Sequence, residues 1–103
     1  MALPPKKDHR ISLAEASDLT RRHRNDHANE GHGGFFHREA FDAILAQPGC
    51  SGIRIYRGKA AGGTRHFVMV GVDGEGKDMT AGAVMEKCNP CPPDCDASSA
   101  LLR

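Results

Sequence analysis

The residues best suited to chemistry in this chain are its cysteines. Cys88, Cys91 and Cys95 form a C-x-x-C-x-x-x-C run spanning eight residues, and Cys50 stands alone upstream. A two-residue spacing lets a turn fold both sulfurs inward, so three thiolates in such a run can reach one ion. A soft tetrahedral cation such as zinc then needs one more ligand, which Cys50 or a histidine can supply. Two separated C-x-x-C pairs would define a zinc site more sharply, and only one is present. Pro90, Pro92 and Pro93 stiffen the run and remove N–H donors that often support thiolate sulfurs. Two further readings stand beside coordination. One is a disulfide, most simply from Cys50 to a tail cysteine; the other is free thiols. Cys88-Asn89-Pro90-Cys91 also has the outline of a redox dithiol, but no βαβ frame surrounds it.

The six histidines form a second candidate set. His23 and His27 are four apart, hence on one face if the first helix reaches them, and imidazoles at that spacing can chelate zinc, nickel or copper. The blander alternative is the edge of a helix contact surface. Cys50, His66 and Asp73 can be written as a catalytic triple, although a histidine-rich chain supplies such triples readily. Charge is uneven beneath a formal net of +1. No acid occurs from residue 43 to 72, where Arg54, Arg57, Lys59 and Arg65 lie. Tyr56 among these cations could stack on a base. Strict alternation, however, puts Arg54 and Arg57 on opposite sheet faces, which disfavours nucleic-acid binding. A solvated strand edge, or self-association with the acidic segment 73–103, fits the charge pattern better.

The elements that must position these groups are bounded by size. A chain of 103 residues with four Phe, one Tyr and no Trp holds one small core. Its stability margin then calls for a partner, a metal or a disulfide. No segment approaches a membrane span, and MALPPKKDHR lacks the apolar run of a secretory signal. The default location is therefore cytoplasmic. There is no P-loop, nucleotide fingerprint or G-x-S-x-G elbow.

Ser12 and Glu15 match the S-x-x-E capping box, and Leu13, Ala16, Leu19 and Thr20 make a modest stripe, predicting a helix over about 12–25. The polar, glycine-rich stretch 25–34 reads as a loop. A second helix is expected over about 37–46, with Phe41, Ile44 and Leu45 on one face and Gln47-Pro48-Gly49 ending it. Alternation through Ile53–Tyr56 predicts a strand. In His66–Val72 both parities are apolar, so that strand should be central and covered on both faces. Asp73-Gly74-Glu75-Gly76 is a turn, and a third strand is expected near 82–88.

Three segments of the second half, Gly49-Cys50-Ser51-Gly52-Ile53-Arg54-Ile55-Tyr56-Arg57-Gly58, Val70-Gly71-Val72-Asp73-Gly74-Glu75-Gly76-Lys77-Asp78 and Cys91-Pro92-Pro93-Asp94-Cys95, carry a likeness. With them the chain resembles a family of small, uncharacterised, mainly Bacteroidetes-type bacterial proteins. The Ser12-to-Leu19 helix start is similar too, so the likeness spans roughly residues 11–96. It implies that Cys50, Cys91 and Cys95 belong to the common pattern while Cys88 is particular to this chain, and it carries no activity.

The sequence thus predicts an α+β protein with two N-terminal helices packed on an antiparallel three-stranded meander. Residues 1–10 are expected as a disordered lead-in, 11–96 as one domain and 97–103 as a flexible end to an irregular Cys/Pro-rich tail. The functional expectation is a non-enzymatic binding or assembly protein, engaging a protein partner or itself, with the tail anchored by soft-metal coordination or a disulfide. Candidate ligands are Cys50, Cys88, Cys91 and Cys95, then His23 and His27. The alternative is a thiol-dependent redox or catalytic protein using Cys50 and Cys91.

Overall fold

A computed structural model describes residues 2–28 and 30–102. In chain order the elements are α1 (Leu13–Asp26), β1 (Gly33–Phe35), α2 (Arg38–Leu45), β2 (Cys50–Lys59), β3 (Arg65–Asp73), β4 (Val84–Met85), β5 (Asn89–Cys91) and a 3-10 turn at Ala100–Leu102. The class is α+β. The chain falls into two units, one built from residues 2–6 and 36–88 and the other from 7–35 and 89–102.

In the first unit, β2, β3 and β4 form an antiparallel sheet in the order β2-β3-β4. The hairpin runs in continuous register from Ile53↔Gly71 to Lys59↔Arg65, with an irregularity between Cys50 and Gly52. The central strand is covered on both faces as its pattern predicts: Met69 is 0% exposed, and Val70 and Val72, of opposite parity, are also buried. From α2, Ile44 is fully buried and its Cγ2 lies 3.3 Å from where a side chain at Gly71 would begin. A methyl at that position would also meet Gln47 Nε2 at 2.9 Å and Cys50 Sγ at 3.2 Å, so the close approach of α2 to β3 requires glycine. Gln47 completes this junction. Its Nε2 donates to Ile44 O at 2.9 Å, and its Oε1 accepts from Ala83 N at 2.8 Å, tying the end of α2 to the start of β4.

The turn after β3 is shaped by Asp73, whose Oδ1 accepts from Glu75 N (2.8 Å) and Lys77 N (3.0 Å). Those two backbone donors hold its carboxyl below the usual range. Gly76 closes the turn at φ 85°, and a Cβ there would stand 2.8 Å from Ala2 O. The backbone at Ala2–Leu3, within the expected disordered lead-in, therefore lies against this turn.

In the second unit, α1 starts at Ser12, whose Oγ accepts from Glu15 N at 3.0 Å. The reciprocal half of the predicted box differs, because Glu15 Oε1 takes the Ser12 hydroxyl at 3.2 Å. The helix packs on the C-terminal 3-10 turn. Its contact face is displaced toward Ser17 and Arg24, which donate to Ala100 O (3.3 Å) and Leu101 O, while Leu13 and Leu19 stay exposed. The expected irregular tail contains β5, which pairs antiparallel with β1 through Gly33↔Cys91, Gly34↔Pro90 and Phe35↔Asn89.

Candidate functional site

Strand alternation brings Arg54 and Tyr56 to one face of β2, and the turn after β3 returns Asp78 to meet both. Asp78 Oδ1 accepts from Arg54 Nη1 and Oδ2 from the Tyr56 hydroxyl. The tyrosine hydrogen bond, followed by that of the guanidinium, holds the Asp78 carboxyl below its ordinary value. The same bond raises the phenol, which stays protonated at neutral pH. The trio ties β2 to the segment after β3, and it engages Arg54 and Tyr56, two of the groups that a nucleic-acid surface would use.

A second cluster centres on Glu86. Its Oε2 meets His66 Nδ1 at 2.8 Å and accepts from Phe67 N at 2.7 Å, while Oε1 accepts from Cys88 N at 2.9 Å. Burial alone would raise this carboxyl, but the donors from Cys88, Phe67 and His66 outweigh it and the net shift is downward. Lys87, between the accepting Glu86 and the donating Cys88 N, takes φ 65° so that the chain can double back. Burial pushes the Cys88 thiol up, and a hydrogen bond to Glu86 together with the carboxylate charge adds to the effect. A thiol so placed is a poor nucleophile at neutral pH.

Cys91 and Cys95 are joined as a disulfide, so neither offers a thiolate to a metal in this state. The bridge is local, unlike the Cys50-to-tail link that the sequence suggests most simply. Cys50 and Cys88 are free. Cys50 donates its thiol to Gly52 O at 3.3 Å. His23 and His27 do come together, with ring centroids 5.0 Å apart, and His27 also faces Glu30. Among the described residues, no group of three or more His, Cys, Asp or Glu side chains is arranged to hold a metal ion. The triple Cys50–His66–Asp73 is not assembled. Cys50 and Asp73 pair at one end of the hairpin and His66 pairs with Gly58 near the other. Seven residue steps along β3 separate His66 from Asp73, roughly 23 Å at strand rise.

The remaining feature of this unit is the outer margin of β2. In an antiparallel ladder, residues alternate between pointing their N–H and C=O at the partner and away from it. Phe67 N donates to Glu86 and Gly71 O accepts from Met79 N, so these β3 residues face away from β2. Their register partners Arg57 and Ile53, with Ile55 and Lys59 at the same parity, then aim their backbone groups outward from β2. Strand β2 lies at the end of the sheet order, with no further strand beyond it among the described residues. Ile55 in the middle of this margin is 58% exposed. Sequence reading found the cations of β2 but missed Glu86, Asp78 and Gln47, whose roles depend on partners 19 to 36 residues away. Comparison with protein-family models, with curated proteins and with solved structures finds no match to this chain.

Proposed function

We propose that this protein is a small, non-enzymatic binding module whose working surface is the outer margin of β2. One observation carries the reading: a ten-residue strand at the sheet edge with outward backbone groups and an exposed Ile55 at its centre. Unpaired strand edges are templates for another extended chain, and the cations on this one, Arg57 and Lys59, deter a like-charged strand. The cysteine pair in the tail fits the same reading as an anchor, since it restrains the segment that carries β5. The three motifs shared with small bacterial hypothetical proteins cover this hairpin and the tail, and membership of that family is part of the proposal. A thiol-dependent activity at Cys50 and Cys91 has less support, because Cys91 is committed to the disulfide.

Selection from a random peptide display library tests this reading. Ile55→Pro removes an outward N–H that β3 does not use, and proline is tolerated on edge strands. Peptides should enrich on the wild type and be lost on Ile55→Pro, with amide exchange at Met69 and Val70 confirming an intact sheet. No enrichment, or equal retention by both proteins, would overturn it.

A further inference from the structure

The chemistry of the margin specifies its occupant more closely than strand addition alone. Residues Ile53, Ile55, Arg57 and Lys59 share one sheet face as well as the outward backbone direction. Arg57 and Lys59 are exposed, and β2 contains no Asp or Glu. Arg54, the other cation of the strand, has opposite parity and is held by Asp78. The open margin therefore presents two adjacent cations and one apolar side chain on a single face, with no acid on the strand.

We propose that this margin takes an extended acidic peptide of a partner protein, added as an antiparallel strand. Directly opposed side chains on a new strand would lie about 5.5 Å away, where unlike charges attract and like charges repel. Running antiparallel, the added strand meets Lys59, then Arg57, then Ile55. The complementary pattern is acidic-x-acidic-x-apolar, with the three specifying residues on one face. A second copy of this chain fits the margin poorly, because its own β2 would bring further cations and no acid to face Arg57 and Lys59. The proposal rests on the edge reading above and adds the partner's chemistry to it.

The test uses fluorescein-labelled peptides of about eight residues, binding followed by anisotropy. The acidic probe carries Glu-Thr-Glu-Thr-Val, the neutral probe replaces both Glu by Gln, and the basic probe replaces them by Lys. The acidic probe should bind about tenfold more tightly than the neutral one, and the basic probe more weakly still. Added salt should narrow the gap. Arg57→Ser with Lys59→Ser should abolish the preference while residual binding persists, and Ile55→Pro should abolish binding of all three. Equal affinity for acidic and neutral probes, both lost on Ile55→Pro, would overturn the acidic specificity and leave the edge reading standing. Binding that survives Ile55→Pro, or no binding by any probe, would overturn the edge reading itself. A dimer in sedimentation that dissolves on Ile55→Pro would give the margin to a second copy and overturn the peptide proposal.

Discussion

The two units are held by different physics. Every buried apolar side chain of the described residues (Ile44, Met69, Val70 and Val72) belongs to the unit that carries the meander. Among its described residues, the unit that carries α1 buries none to that degree. It relies on a capped helix, a short β1–β5 ladder, hydrogen bonds to the C-terminal turn and the Cys91–Cys95 bridge. Removal of apolar surface from water is cooperative and needs a minimum core, whereas a covalent link restrains the unfolded chain whatever is buried. A chain with few aromatics can make one core of the first kind, and its remaining residues depend on the second.

The contrast breaks most clearly at Met69. Met69→Ala empties a fully buried site and should cost about 3 kcal/mol, within the range for large-to-small core changes. Leu19→Ala on α1, 57% exposed, should stay within about 0.5 kcal/mol. Denaturant unfolding of the two variants measures the difference, and equal losses would show that the units share one core.

The converse change is Cys95→Ser. The bridge closes a five-residue loop, for which chain entropy gives about 2 kcal/mol. Amide exchange should quicken at His32–Phe35 and Asn89–Cys91 while Met69 and Val70 keep their protection. Global loss of protection would instead make the disulfide a support of the whole molecule.

Glu86 sharpens the comparison within the core unit, because its contribution is polar and depends on pH. Its folded pKa is depressed below the ordinary 4.5. The stabilisation is therefore fully present above that value and is lost as pH falls from 4.5 through the lower folded pKa. Glu86→Gln should cost about 1 kcal/mol at neutral pH and flatten the decline in stability on that acid side. An unchanged acid limb would show that His66 and the two backbone donors do not favour the charged form.

The smallest effect is expected at Lys87, the one described non-glycine residue at positive φ. Lys87→Gly relieves a left-handed conformation and should stabilise the protein by about 0.5 kcal/mol, glycine's unfolded-state entropy offsetting part of the gain. Thermal unfolding reads the sign, and a destabilised variant would mean that the lysine side chain has a role of its own.

Much of this organisation is legible from residue order, and the reason is locality. Ser12 and Glu15 mark the start of α1 because a cap involves groups within one turn. Pro48 and Gly49 mark the stop after α2. The hairpin shows in the double-parity apolar run of His66–Val72 and in Asp73-Gly74-Glu75-Gly76, where aspartate supplies its own turn bonds. Strands β1 and β5 were not legible. Gly33 and Gly34 carry no pattern, Pro90 argues against a strand, and each becomes one only by pairing across more than fifty residues. The contact face of α1 is legible only in part: Ala16 and Thr20 of its stripe are half-buried, while Leu13 and Leu19 stay exposed and Ser17 and Arg24 make the hydrogen bonds to the C-terminal turn.

The candidate site divides in the same way. The sequence alone determined that β2 is basic, free of acids and alternating, because side-chain type and the two-residue period are properties of the strand itself. It also determined that cysteines cluster in a proline-rich tail. Tertiary structure decided which cations remain available, by giving Arg54 to Asp78 and leaving Arg57 and Lys59 at the margin. It decided that Cys91 bonds Cys95 while Cys88 faces Glu86, and that β2 ends the sheet with its backbone groups aimed outward. Those outcomes depend on which distant residues arrive beside each side chain, and spacing along the chain does not encode that.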